Sequence, residues 1–396
     1  MTEPAGGPAP DPSESAPPSL GTIALQWTRI GVTGFGGPPT HIALLRRLVV
    51  DQHHWIDAQE FEDAVAACNL LPGPASTQLC IFIARRLGGP RGAVVGGLGF
   101  ILPAVIVIVV LSALFFGESP PAWVRGAGAG AGAAVAAVAV RAGIDLARPS
   151  LDRTPSRARW AVYVALGLAA GALVGAYLVL VLLACGLLEL GASGRLTERG
   201  RAHGWGPIFA PAAAMVGAGG LGSLAWVAFK VGALSYGGGF VIIPLMQGDA
   251  VHTYHWMTSS QFLDAVALGQ VTPGPVVATV AAVGYAAHGL GGAALAAAVA
   301  FAPSFAFVLL GGGQFERIRK SERARAFLAG AGPAAIGAIL GASIPLATAL
   351  RETWQFAVLA GAAIALLIAR RGIVVTLLAA GAVGIVIALA GGPVPR

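Results

Sequence analysis

Gly31-Val-Thr-Gly-Phe-Gly-Gly-Pro38, followed by His54-Trp55, Phe61, Asp63 and Pro72-Gly73-Pro74, returns later as a second copy. That copy reads Gly232-Ala-Leu-Ser-Tyr-Gly-Gly-Gly239, then His255-Trp256, Phe262, Asp264 and Pro273-Gly274-Pro275. Each matched pair stands 201 positions apart, with no gap between the first and the last. Scattered Ala and Gly could not hold one register across Trp, His, Asp and a Pro-Gly-Pro. The chain is therefore an internal duplication, and a repeat of that period decides the architecture before any local reading does. Just upstream, Arg29 is matched by Lys230 at the same offset, each inside an otherwise apolar run.

Composition sets the surroundings. The chain has 396 residues, 56% hydrophobic and 11% charged, whereas soluble domains carry about 25% charged residues. This is the composition of an all-α polytopic membrane protein. Its 57 glycines are about twice ordinary usage and suit close approach between helices in lipid. The net charge of +7 sits in short loops between apolar runs, as expected for cytoplasmic loops rather than for nucleic-acid binding. Cys68, Cys80 and Cys185 lack metal-ligand spacing and read as packing residues.

Residues 1–19, with six prolines and no Lys or Arg, read as a disordered tail without a secretory n-region. The first transporter repeat is expected over 20–191, a basic cytoplasmic linker over 192–206, and a second repeat over 207–396. A helix from Leu20 should break at Gly36-Gly37-Pro38. Segments 57–70 and 75–87 are each too short for a bilayer core of about 30 Å. Separated by Pro72-Gly73-Pro74, they predict a re-entrant hairpin, repeated over 258–270 and 276–287. Spans follow at 92–116, 124–147, a pair across 160–191 hinged near Gly171 and Gly175, then 207–231, 290–313, 326–348, 354–369 and 372–391.

Five crossings and one hairpin per half is an odd number, so the halves should face opposite ways. Loop charge gives a second argument. Arg85, Arg86 and Arg91 follow the first hairpin, while 286–293 after the second has no Lys or Arg. The loop 117–123 has none either, while its counterpart carries Arg317, Arg319, Lys320, Arg323 and Arg325. With basic loops inside, both termini lie outside and the repeat is inverted, an architecture common among secondary transporters.

Arg29 and Lys230 each cost at least about 2.5–3.5 kcal/mol in an apolar segment. Either could snorkel to a membrane face. An inverted repeat would instead bring both towards the midplane, where two cations need an anion. The helices after Pro74 and Pro275 begin at depth with free N–H groups and a positive dipole end, and Ser76, Thr77, Gln78 and Thr279 add donors. Such termini suit an oxyanion. The glycines Gly36, Gly37, Gly237 and Gly238, the turns Pro72-Gly73-Pro74 and Pro273-Gly274-Pro275, and the amides Asn69 and Gln270 complete the expected binding region. For Asn69 and Gln270, plain helix packing is the competing reading. Asp63 and Asp264 are candidates for proton coupling or for a counter-ion, against a capping role near the interface. Arg141 and Asp145 should form a local ion pair. His53, His54 and His255 read as interfacial, so no metal and no cofactor is expected. With no HExxH, GxSxG or GxxxxGK[ST] in the chain, neither an ATPase nor a common hydrolase site is supported.

These residues resemble the chromate ion transporter family in its long, two-domain form. The resemblance rests on Arg29-Ile-Gly31-Val-Thr-Gly-Phe-Gly36-Gly37-Pro38, Leu71-Pro72-Gly73-Pro74, Phe100-Ile-Leu-Pro103, Phe229-Lys230-Val-Gly232 and Thr272-Pro273-Gly274-Pro275, and extends from Leu20 to Leu389. It implies efflux of chromate across the inner (plasma) membrane, with antiparallel halves and a role in chromate resistance. Arg29 stands where the family usually has Lys, which keeps the charge and changes the donor geometry. Sulfate has the same charge and shape, so a sulfate or other oxyanion carrier stays open. So do an anion channel on the same fold and a membrane enzyme or flippase. The expected partners are chromate, sulfate and membrane lipid; a homodimer is compatible with the sequence.

Overall fold

The computed structural model describes residues 17–69, 71, 73–117, 119–152, 154, 156–173, 178–194, 220–235, 240–310 and 321–395. The tail to residue 16, most of the basic linker, the start of the 207–231 span, the hinge at Gly175, Pro72, Gly237, Gly238 and the basic loop before Ser321 lie outside them.

Among the described residues every element is helical, seven helices in each half. The first half holds α1 (Leu20–Thr33), α2 (Pro38–Arg46), α3 (Ala58–Cys68), α4 (Ala75–Phe115), α5 (Ala122–Asp152), α6 (Arg157–Leu173) and α7 (Leu178–Ala192). The second holds α8 (Leu221–Leu234), α9 (Ile242–Gln247), α10 (Ser259–Val271), α11 (Thr279–Leu310), α12 (Glu322–Thr348), α13 (Thr353–Ala363) and α14 (Ile373–Leu389). The halves match down to their irregularities. A π turn follows α2 at Arg47–Gln52 and α9 at Gly248–Thr253. His54 and His255 both take positive φ, 50° and 51°. His53 stacks on Trp55 as Tyr254 stacks on Trp256. Past the second Pro-Gly-Pro the register shortens by one residue, so Gly89 pairs with Gly289 and Arg125 with Arg325.

Four helices, α4, α5, α12 and the run Val276–Leu310, are long and apolar enough to cross a membrane. The protein is membrane-integral. Two of the four are hairpins. Non-helical backbone at Gly88-Gly89 folds α4 back on itself, and His288-Gly289 does the same in α11. The limbs touch because glycines line the seam: a Cβ on Gly92 would lie 2.3 Å from the Ala84 carbonyl, and one on Gly284 2.4 Å from that of Gly292. The expected 75–87 and 92–116 segments are thus the two limbs of one element. At 11 and 13 residues, α3 and α10 reach only about 16–20 Å at 1.5 Å per residue, short of a bilayer core.

The halves interlock through glycine and alanine. From the first half, α5 lies against α14, its Gly130 facing the Ala380 carbonyl and its Gly126 that of Gly384. From the second, α12 lies against α6 and α7, with Gly167 on Ala334 and Gly330 on Cys185. Backbones meet this closely only without side chains between them, the usual solution where lipid supplies no hydrophobic drive. Cys68, Cys80 and Cys185 are buried free thiols, as a packing role requires. Arg141 Nε meets Asp145 Oδ2 at 2.7 Å, the expected local pair, and its Nη1 also donates to the Leu366 carbonyl across the halves.

Candidate functional site

The two Pro-Gly-Pro turns sit where the halves cross, each against the other half's first helix. Gly73 (φ 113°) abuts α8, where a Cβ would come 3.2 Å from the Gly232 carbonyl. Gly274 (φ 95°) abuts α1, and its N–H donates to the Gly34 carbonyl at 3.0 Å. Positive φ makes glycine the residue of least strain here. At Gly274 a Cβ would also strike Ala104 at 2.7 Å. The unwound end of α1 is then held from the other side. His41 Nε2 lies 3.0 Å from the same Gly34 carbonyl, and since a carbonyl can only accept, this nitrogen carries the proton. Its Nδ1 faces Ser76 Oγ at 3.4 Å and its ring stands edge-on to Phe100. One carbonyl thus joins α1, α2, the second turn and, through Ser76, the first turn of α4.

Several helix starts are capped by side chains: Ser19 accepts from Thr22 N–H, Asp57 from Glu60 N–H, and Thr258 with Gln261 forms a reciprocal capping box, while α2, α8, α9 and α14 start without one. At the crossing the N-cap positions are Pro74 and Pro275, which supply no side-chain cap. Loss of a cap typically costs about 1 kcal/mol, and here the uncapped N–H groups are buried. Ser76, Thr77, Gln78, Thr279 and Gln270 are all buried beside them. Thr77 Oγ1 and Gln270 Nε2 have no partner, while Thr279 Oγ1 donates to the Val276 carbonyl at 2.7 Å. Thr77 Oγ1 and Gln270 Nε2 are thus buried donors without an acceptor, which is expensive, and an oxyanion is a ligand that would satisfy such donors.

The repeated cations stand in different surroundings. Lys230, one half-turn before Gly232, is largely but not fully buried, and its Nζ donates to Asp249 Oδ2 at 2.6 Å. The ammonium also lies 5.6 Å from the Trp226 ring centroid. Asp249 comes from the π turn after α9. Arg29 is exposed on the outer face of α1 with Leu25 and Val32, and its guanidinium makes no hydrogen bond or ion pair among the described residues. The repeated carboxylates diverge as well. Asp63 is half-buried and accepts from Gln59 at 3.4 Å on its own helix. Asp264 is pressed against α5 at Gly128, where a Cβ would lie 2.6 Å from its Oδ1, and that oxygen has no partner. Asn69 is exposed, Gly36 is exposed and Gly37 half-buried; Gly37 faces Val276 across the halves.

Sequence reasoning missed His41 and Asp249. Both lack a counterpart in the other half, where Ile242 and Leu48 stand. The available signal was a lone carboxylate in the apolar run 240–251, shortly after a lone lysine.

Such a molecule, with duplicated helical halves crossing at two broken turns and a largely buried ion pair on the helix that meets the first of them, has the build of a membrane transport protein. The chromate transporter family profile matches residues 21–190 and 222–385, one stretch in each half. The chain is 31% identical over 374 residues to a chromate transport protein of Cupriavidus metallidurans, covering 92% of each. It is 33% identical over 364 residues to a chromate transport protein of Pseudomonas aeruginosa, covering 86% of this chain and 84% of that one. A probable chromate transport protein of Synechococcus elongatus is 28% identical over 336 residues. No solved structure matches. This chain belongs to the chromate transporter family.

Proposed function

We propose that the protein is a secondary transporter exporting chromate, a tetrahedral dianion, across the inner membrane, driven by the membrane potential, by proton coupling or by both, and so confers chromate resistance. The observation that carries the reading is Lys230, largely buried and neutralised by Asp249 at 2.6 Å, on the helix whose Gly232 meets the first broken turn. In the empty site Asp249 stands in for the anion. An arriving dianion takes over Lys230 and the unfilled Thr77 hydroxyl, and Asp249 lets go of the ammonium. Relatives carrying the name chromate transport protein support the substrate. Sulfate, equal in charge and shape, is the natural competitor.

An inverted arrangement is supported by α5 and α12, equivalent helices running in opposite senses. The C-terminal end of α5, at Leu146 and Pro149, shares a cavity with the N-terminal end of α12, at Arg325 and Leu328, while Gly143 packs on Leu340. Arg85 donates to the Val308 carbonyl, which brings the tip of the first hairpin beside the approach to the basic loop. Arg141 likewise reaches Leu366, near Arg370 and Arg371. These contacts support placing the basic loops together at the end that should face the cytoplasm.

A carrier is favoured over a channel because separate cavities at the two ends of α5 suit alternating access. Chromate uptake into everted vesicles tests the function, with sulfate competition and an imposed potential. Uptake should follow the potential and fall with added sulfate. Absence of uptake in vesicles holding folded protein would defeat the reading.

A further inference from the structure

Two cavities open at opposite ends of α5. One, about 420 Å³, is lined by Leu146, Pro149 and Ser150 at its C-terminal end, with Arg325 of α12. The other, about 490 Å³, is lined by Arg125 and Ala129 at its N-terminal end, with Gln261 and Asp264 of α10. Seventeen residues separate Ala129 from Leu146, roughly 26 Å along the helix at 1.5 Å per residue. That is close to the thickness of a bilayer core.

Arg125 and Arg325 occupy the same place in the repeat, three residues into α5 and α12. Each faces its own cavity. The cavities differ in two respects. The one at Arg325 reaches Gly73 and Ala75, the start of α4 beyond the first break. The one at Arg125 stops at Asp264, about two helical turns before the second break, where Val276, the counterpart of half-buried Ala75, is buried. They also differ in charge. Among the described residues Arg325 is the only charged one lining the first, whereas Arg125 shares the second with Asp264. Both Arg125 Nε and Asp264 Oδ1 are shut away from solvent without a partner.

We propose that these cavities are the inner and outer mouths of one oxyanion path, that Arg325 docks the anion at the inner mouth, and that Arg125 with Asp264 forms a weaker outer site that favours release. The structure is then the state open to the side of Arg325. This rests on the oxyanion-transport reading above. The arginine at each mouth attracts a tetrahedral oxyanion. Among the described residues only the outer one shares its cavity with a carboxyl group, which in its ionised form repels a dianion. The asymmetry sets how much anion half-saturates each face; the equilibrium ratio belongs to the driving force.

Two measurements test it. Chromate and sulfate half-saturation is read at each face, in everted and right-side-out vesicles. Arg325→Gln should raise the cytoplasmic value roughly five- to tenfold and leave the outer one unchanged. Asp264→Asn should lower the outer value by a similar factor, and Arg125→Gln should raise it. Equal shifts at both faces would overturn the assignment of mouths, and no shift would overturn anion docking. Independently of flux, single cysteines at Ala329 and Ser260 are labelled with an impermeant, negatively charged thiosulfonate, the three native thiols being buried. Ala329→Cys should react only from the cytoplasm and Ser260→Cys only from outside, each more slowly with sulfate present. Reaction of both from one face would refute the two mouths. Sided labelling without chromate flux in the wild type would instead sink the substrate and spare the path.

Discussion

Replacing Asp249 with Leu, the residue the first repeat carries at Leu48, isolates the ion pair. Side-chain exposures of 11% for Lys230 and 5% for Asp249 place the pair among buried ones. Removing one partner of a buried pair costs about 3–5 kcal/mol, because the remaining charge is left uncompensated. The Trp226 face, 5.6 Å from the ammonium, returns a small part, about 0.5–1 kcal/mol. Asp249→Leu and Lys230→Met should therefore each destabilise by roughly 3 kcal/mol. The double variant should recover most of that loss, since replacing a whole buried pair by apolar groups is often nearly neutral. A double-mutant cycle of unfolding free energies in mixed micelles reads the coupling. Additivity within about 0.5 kcal/mol would show that the pair carries no mutual stabilisation. The same proteins separate fold from function: the double variant should be stable yet unable to export chromate, because the cation is gone. Sulfate should protect Asp249→Leu from unfolding more than it protects the wild type, the anion taking the carboxylate's place.

Other outcomes follow from the same geometry. Gly274→Ala forces a side chain onto positive φ and into Ala104; it should abolish transport, whereas Gly291→Ala, with open space around it, should not, as flux in matched vesicles will show. His41→Ala leaves the Gly34 carbonyl held from one side only and should lower the transport rate at least tenfold, with His41→Gln recovering part of it through an amide donor. Arg29→Gln, changing an exposed side chain, should retain most transport, whereas Lys230→Gln should lose it and Lys230→Arg should keep a fraction. A thiol label at Ser119 should be reached from outside and one at Ser321 from the cytoplasm; labelling of both from one face would point to a parallel repeat.

The repeat was legible because it is written in residues that few backbones can replace. Gly73 and Gly274 hold positive φ, the prolines end helices, and Asp57 and Thr258 cap equivalent starts. The same method hid what the halves do not share. Arg29 and Lys230 look alike in sequence, and only burial separates them: one faces outward with Leu25, the other is closed over by Asp249. His41 and Asp249 have apolar counterparts, so a search for matched pairs passes over them. The pairing of Arg125 with Arg325, the latter read only as a loop charge, escaped for another reason. The short 3₁₀ turn Val276–Ala278 follows the second break, where the first half enters α4 directly, and between there and Gly289 the constant offset slips by one residue.

Potential alone should suffice for export. Moving a dianion out of a negative-inside cell yields about 4.6 kcal/mol at 100 mV, from about 2.3 per charge, enough for a gradient near ~10³. The most direct test of the central claim is chromate flux in proteoliposomes under an imposed potassium-diffusion potential, wild type beside Lys230→Gln of equal folded content. The account requires flux that grows with the potential, needs no nucleotide and vanishes in the variant. Equal flux in both proteins, or flux that ignores the potential and the proton gradient alike, would contradict it.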